Sequence, residues 1–214
     1  MHKRIPFIIF VLIFALVGCK TSKSIKADKT LQAMNKKFAA LKSAPDRIIA
    51  TTMTLDELVK QGGDMRAEFR AFDKEVNNLI QQRDRFRKLK ANVNKSKSAF
   101  AESWVERQMT IHNDELRARA RKRHATVTAQ FDKVDEFVAK ARAEFEPWLQ
   151  KVIDIRTYLE NDLNRSGIDS IVDLVPPVSR DASKVNSKIA DLITELDKLS
   201  NQMAPSIPLN QKGK

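Results

Sequence analysis

Apolar residues between positions 124 and 163 recur at alternating steps of four and three: Val127, Phe131, Val134, Val138, Ala141, Phe145, Trp148, Val152, Ile155 and Leu159. A strand repeats every two residues and cannot gather these side chains on one face; an α-helix of coiled-coil type does. The pattern predicts a helix roughly 60 Å long at ~1.5 Å per residue. Such a seam needs partner helices, and residues 69–100 and 178–203 carry the same spacing. The expected fold is all-α, an elongated antiparallel helical bundle with a kinked central helix. The helix through Phe69 is placed beside the upstream part of the central helix and the last helix beside its downstream part.

The remaining pattern fills in the elements. Leu31, Met34, Phe38 and Leu41 predict a short helix over residues 29–43, ended by Pro45. Thr54 with Glu57 reads as a capping box opening another, Gly62-Gly63 stops it, and Asp64 caps the next helix. Phe69, Phe72, Val76, Leu79, Phe86 and Val93 then form a seam on which Arg83 and Lys90 fall, both expected to snorkel at the bundle edge. Residues 92–98 are polar and read as a turn between antiparallel helices, with a weak spot in one long helix as the alternative. Phe100, Trp104 and Ile111 carry the apolar face on, and His112-Asn113-Asp114 loosens or bends it. Pro147 leaves the four-three spacing unchanged on both sides and reads as a kink in one helix. Gly167 in Asn164-Arg165-Ser166-Gly167 reads as its C-terminal stop. After a short turn over 168–175 and a break at Pro176-Pro177, Ser179 or Asp181 caps a last helix with the seam Val178, Ala182, Val185, Ile189, Leu192, Leu196, Leu199 and Met203. The tail 204–214 is predicted to be disordered.

The first nineteen residues carry a different pattern. A basic start through Lys3 and Arg4 precedes an apolar run over 5–17, too short to span a bilayer as a stable helix, and the run closes with Leu16-Val17-Gly18-Cys19. The only cysteine stands after a small residue where cleavage is expected. Residues 1–18 therefore resemble a bacterial lipoprotein signal, cut between Gly18 and Cys19 once the Cys19 thiol is alkylated by diacylglycerol. An ordinary signal or membrane anchor with an incidental cysteine is the alternative. Each buried methylene contributes ~0.8 kcal/mol, so three acyl chains anchor permanently. Lys20 stands where an Asp would retain a lipoprotein at the inner membrane, so by that general rule the expected site in a diderm cell is the periplasmic face of the outer membrane. Residues 19–28 form a polar tether, and residues 29–203 the helical domain.

A family resemblance rests on spaced motifs. Gly62-Gly63-Asp64-Met65, Phe100 with Trp104, Leu116 with the arginines after it, Glu146-Pro147-Trp148-Leu149, and Leu163-Asn164 with Ile168 and Ile171 resemble, in order and spacing, a family of uncharacterised bacterial lipoproteins known only as a domain of unknown function. The resemblance covers most of the mature chain and implies a lipobox and a helical fold, but no activity and no catalytic residue. Pro176-Pro177 and the basic charge depart from the family pattern.

Charge sharpens the picture of partners. Losing the leader takes Lys3 and Arg4 and lowers the net charge from +12 to +10. That favours acidic partners such as phosphorylated glycolipid, anionic lipid, peptidoglycan or acidic protein, and the leader disfavours nucleic acid. Arg117, Arg119, Arg121, Lys122 and Arg123 wrap round about two helical turns as a candidate anion-binding cluster. Upstream of it, Arg83, Arg85, Arg87, Lys88, Lys90, Lys95 and Lys97 form another basic run with Asp84 alone opposing. A solvated helix surface is the plainer reading of both. Lys212-Gly213-Lys214 weakly resembles the end of lipoproteins joined to peptidoglycan through a C-terminal lysine.

His112 and His124 lie twelve apart without metal-ligand spacing, no nucleophile or phosphate-loop motif occurs, and no cofactor or metal is expected. Trp104, Trp148 and Tyr158 are expected in the core. These observations favour a non-enzymatic, lipid-anchored scaffold or adaptor with a protein partner or a second copy of itself. The alternative is a binder of anionic envelope polymer.

Overall fold

The computed structural model describes residues 36, 38, 39, 41–60 and 64–203. Among them the ordered elements are α1 (Ala44–Lys60), α2 (Met65–Met109), α3 (Asp114–Asn161), the short α4 (Arg165–Asp169), a 3₁₀ turn (Val172–Leu174) and α5 (Val175–Met203). The fold is an all-α bundle, as the periodicity requires. The leader, Cys19, the tether, the Leu31 and Met34 turns, Gly62-Gly63 and the tail from Ala204 lie outside the described residues.

The central helix α3 is 48 residues long, about 70 Å at ~1.5 Å per residue. Every seam residue from Val127 to Leu159 is buried. Pro147 stands inside α3, exposed and next to exposed turns, so the carbonyl it leaves without a donor faces water. α2 runs antiparallel to α3: Asp73 pairs with Arg156 at 2.7 Å, Phe86 stacks on Phe145 at 5.4 Å, and Phe100 lies 6.1 Å from Phe131. α5 is also antiparallel to α3. The Trp148 indole N–H donates to the Val178 carbonyl at 3.0 Å, and Gln130 Nε2 donates to Glu195 Oε2 at 2.7 Å. α1 packs on α2 and α5, with Arg47 on Glu75 at 3.1 Å and Lys42 on Asp197 at 2.9 Å.

Several expectations are corrected. α2 and α5 do not divide α3 between them; both run along residues 124–151, on different faces. The polar segment 92–98 is no turn, because α2 is unbroken from Met65 to Met109, with Val93 and Ser96 buried and the polar residues outside. The chain reverses instead at residues 110–113. There the Asn113 side chain accepts the Leu116 N–H at 2.9 Å and caps α3.

The α2 seam passes through Gln82 and Leu89 rather than Arg83 and Lys90. α1 and α3 cover α2 from two sides and widen its buried face; Gln82 donates to the Ser43 hydroxyl at 3.2 Å. Arg83 remains at the edge, whereas Lys90 is exposed. Thr54 caps nothing: it lies inside α1, and its hydroxyl donates back to the Ala50 and Thr51 carbonyls. Asp64 does cap α2, accepting the Arg66 N–H at 3.0 Å.

Gly167 does not end α3; Asp162 does. Gly167 sits in α4, its N–H donated to the Asn164 side chain that caps that helix, and an added Cβ would lie 2.0 Å from the Asp162 carbonyl oxygen. Pro176 and Pro177 do not break the chain before α5. They occupy its first turn, where a missing N–H removes no helical bond, so Ser179 and Asp181 lie inside the helix.

Candidate functional site

The two basic runs have different fates. In the first, Arg87 meets Glu146 at 3.3 Å, Lys97 meets Asp132, Lys90 meets Asp135 at 3.9 Å, and Arg83 meets its neighbour Asp84 at 3.9 Å. Three of these acids are on α3. Three of the seven cations in that run thus pair across to α3, whereas Arg85, Lys88 and Lys95 have no acidic partner among the described residues.

The second run lies where the bundle thins. Met203 is the last described residue of α5, and the Gln202 carbonyl accepts from Arg123 at 3.5 Å. Among the described residues, only α2 and α3 continue beyond that level to the 110–113 turn, as a two-helix hairpin. Arg117 is used locally: it donates to the Ile111 and His112 carbonyls at 3.1 and 3.2 Å and pairs with Asp114 at 3.0 Å, bracing the turn. Arg119 pairs with Glu115 one turn earlier. Arg121, Lys122 and Arg123 have no acidic partner among the described residues. Arg119, Lys122 and Arg123 line a cavity of about 380 Å³ with Thr126, Val127 and Gln202. The candidate cluster is thus split: Arg117 holds the turn, three cations face the cavity, and Arg121 is exposed beside them.

Exposed apolar side chains gather at the same end. Met109 is 78% exposed, Leu116 56% and Val105 52%. Just below them, His124 stacks on Phe100 at 5.5 Å and 7°, with Trp104 also 5.5 Å away. The Trp104 Nε1 and His124 Nε2 atoms are buried without a hydrogen-bond partner among the described residues. Trp104 is half-buried, not fully in the core.

A second cavity, of about 500 Å³, lies where α3 ends and α5 begins, lined by Ile155, Tyr158, Ile171, Leu174, Pro177 and Val178 with Lys151, Asp154 and Ser170. Trp148 is buried as expected, but Tyr158 is not: it stands on the rim, 41% exposed, its hydroxyl 3.0 Å from that of Ser170. Its position between the seam residues Ile155 and Leu159 was the available signal. Near this cavity, Lys151 and Lys184 hydrogen-bond Asp181 and hold its carboxyl below the usual range. Lys198 and Gln130 do the same to Glu195 farther along α5.

Residues 22–203 match the family described as "Protein of unknown function (DUF2959)". The chain belongs to that family. No curated protein and no solved structure matches it. Among the described residues of this DUF2959 protein, no helix is long and apolar enough to cross a membrane, and no group of three or more His, Cys, Asp or Glu is placed to hold a metal.

Proposed function

We propose that this DUF2959 protein is a non-enzymatic cell-envelope lipoprotein, anchored through Cys19 at the periplasmic face of the outer membrane, whose bundle presents its hairpin end to an acidic protein partner. One observation carries the reading: Val105, Met109 and Leu116 are exposed at the end that also carries Arg121, Lys122 and Arg123, which have no acidic partner among the described residues. A partner helix with apolar and acidic residues would cover both. The chain's own strong positive charge argues against two hairpin ends meeting each other.

The test is in-cell photocrosslinking from probes at Leu116 and Arg119, with Lys188 on the flank of α5 as control. Crosslinks to one acidic protein from the hairpin probes alone are expected. The same products from Lys188, or none at the hairpin, would overturn the reading. A second reading has its own support in the cavity with three cations: it suits a phosphate or carboxylate of peptidoglycan or glycolipid. Binding to isolated wall or glycolipid that falls steeply between low and moderate salt would favour it.

A further inference from the structure

We propose that the cavity between the end of α3 and the start of α5 binds an amphiphile with one acyl chain and a zwitterionic head group, of lysophospholipid chemistry. Its volume of about 500 Å³ falls in the range of small-molecule sites, which are mostly apolar with a few convergent polar groups. Ile155, Ile171 and Val178 form the floor, each under 5% exposed, and come from α3, the turn ahead of the 3₁₀ segment, and α5. Tyr158 and Leu174 stand at the rim, 41% and 45% exposed, so a chain laid over the floor would bury apolar surface that the fold leaves open.

The walls are fixed before any ligand arrives. Trp148 ties α3 to the Val178 carbonyl, Asn164 caps α4, and Gly167 lies tight against the Asp162 carbonyl. The charges at the rim select the head group. Lys151 donates to Asp181 at 2.8 Å, Lys184 to the same carboxylate at 3.2 Å, and Asp154 accepts from Gln150 at 2.8 Å. Of these, Lys151 and Asp154 line the cavity, one charge of each sign. A head group bearing both an ammonium and a phosphate meets partners of both signs, whereas a bare fatty-acid carboxylate also faces Asp154 and finds Lys151, already paired with Asp181, as its one lining cation. The site lies about 45 Å along α3 from the hairpin cations at ~1.5 Å per residue, so it stands or falls independently of the hairpin reading.

The test uses the full mature chain with Trp104→Phe, which leaves Trp148 as its one tryptophan. 1-Palmitoyl lysophosphatidylethanolamine is added below its micelle-forming concentration. Trp148 fluorescence and the methyl NMR signals of Ile155, Ile171 and Val178 should shift saturably, while those of Ile189 and Leu192 stay in place. Leu174→Lys, at an exposed position, should keep the helical circular dichroism and weaken binding roughly tenfold. The proposal is overturned by no saturable shift, by equal shifts at Ile189 and Leu192, or by unchanged affinity in Leu174→Lys. Palmitate binding as tightly as the zwitterion would overturn it too.

Discussion

Residues 83–97 and 117–123 are both rich in cations, yet the bundle uses them differently. In the first run Arg87, Lys90 and Lys97 meet Glu146, Asp135 and Asp132 on α3, so three of its seven cations are answered across the helix interface. The second sits past the end of α5, and there Arg121, Lys122 and Arg123 find no described acid. Basic sequence alone does not mark a binding surface; the deciding factor is whether a helix carrying acids runs alongside.

The largest expected effect lies beneath the first run. Phe86→Ala removes a ring that is 4% exposed and stacked on Phe145, and should cost about 3–5 kcal/mol in urea unfolding. Leu116→Ala at the hairpin should stay within about 0.5 kcal/mol. Comparable losses would mean that the hairpin end is covered as well as the bundle is. A smaller contrast comes from charge reversal. Arg87→Glu sets two carboxylates together at Glu146 and should cost about 1 kcal/mol, whereas Lys122→Glu should leave stability unchanged and weaken only the binding of an acidic partner. An unchanged melt for Arg87→Glu would remove the distinction.

The first of these differences was invisible in the sequence, because Arg87 and Glu146 are 59 positions apart and Lys97 and Asp132 35. Periodicity carried the fold further: the α3 seam, the survival of its register through Pro147 and the α5 seam all follow from single-helix spacing. The chain reversal did not. Residues 92–98 are as polar as a loop, but their polar positions face out of a long helix while Val93 and Ser96 face in. The true turn was marked by one residue, Asn113, whose cap bond is plain only once Leu116 is seen above it. The candidate lipidation site at Cys19 rests on a local motif that any reader of the sequence meets at once. The 500 Å³ cavity has no such mark, since three elements build it and none shows it alone.

The mildest predicted effect is on acid stability. Asp181 and Glu195 both lie on α5 and both have carboxyls held below their usual range by lysine partners, with Gln130 also on Glu195. Each such group contributes stability that is present above its unfolded pKa and is lost as the pH falls through its lower folded value. Thermal melts should therefore be flat above about pH 5 and fall below about pH 4. Glu195→Gln should reduce that slope; an identical slope would place the acid sensitivity elsewhere.

The short turn at 110–113 also bears on how quickly the chain folds. Contacts between α2 and α3 grow steadily longer-range away from it, from 35 residues at Lys97–Asp132 to 59 at Arg87–Glu146 and 79 at Asn77–Arg156. Formed in that order, each closes only the small loop left by the one before, and the last is about 1 kcal/mol cheaper in chain entropy than if it closed alone. Chain entropy therefore favours assembly of the two longest helices from the hairpin, the same end proposed to meet a partner.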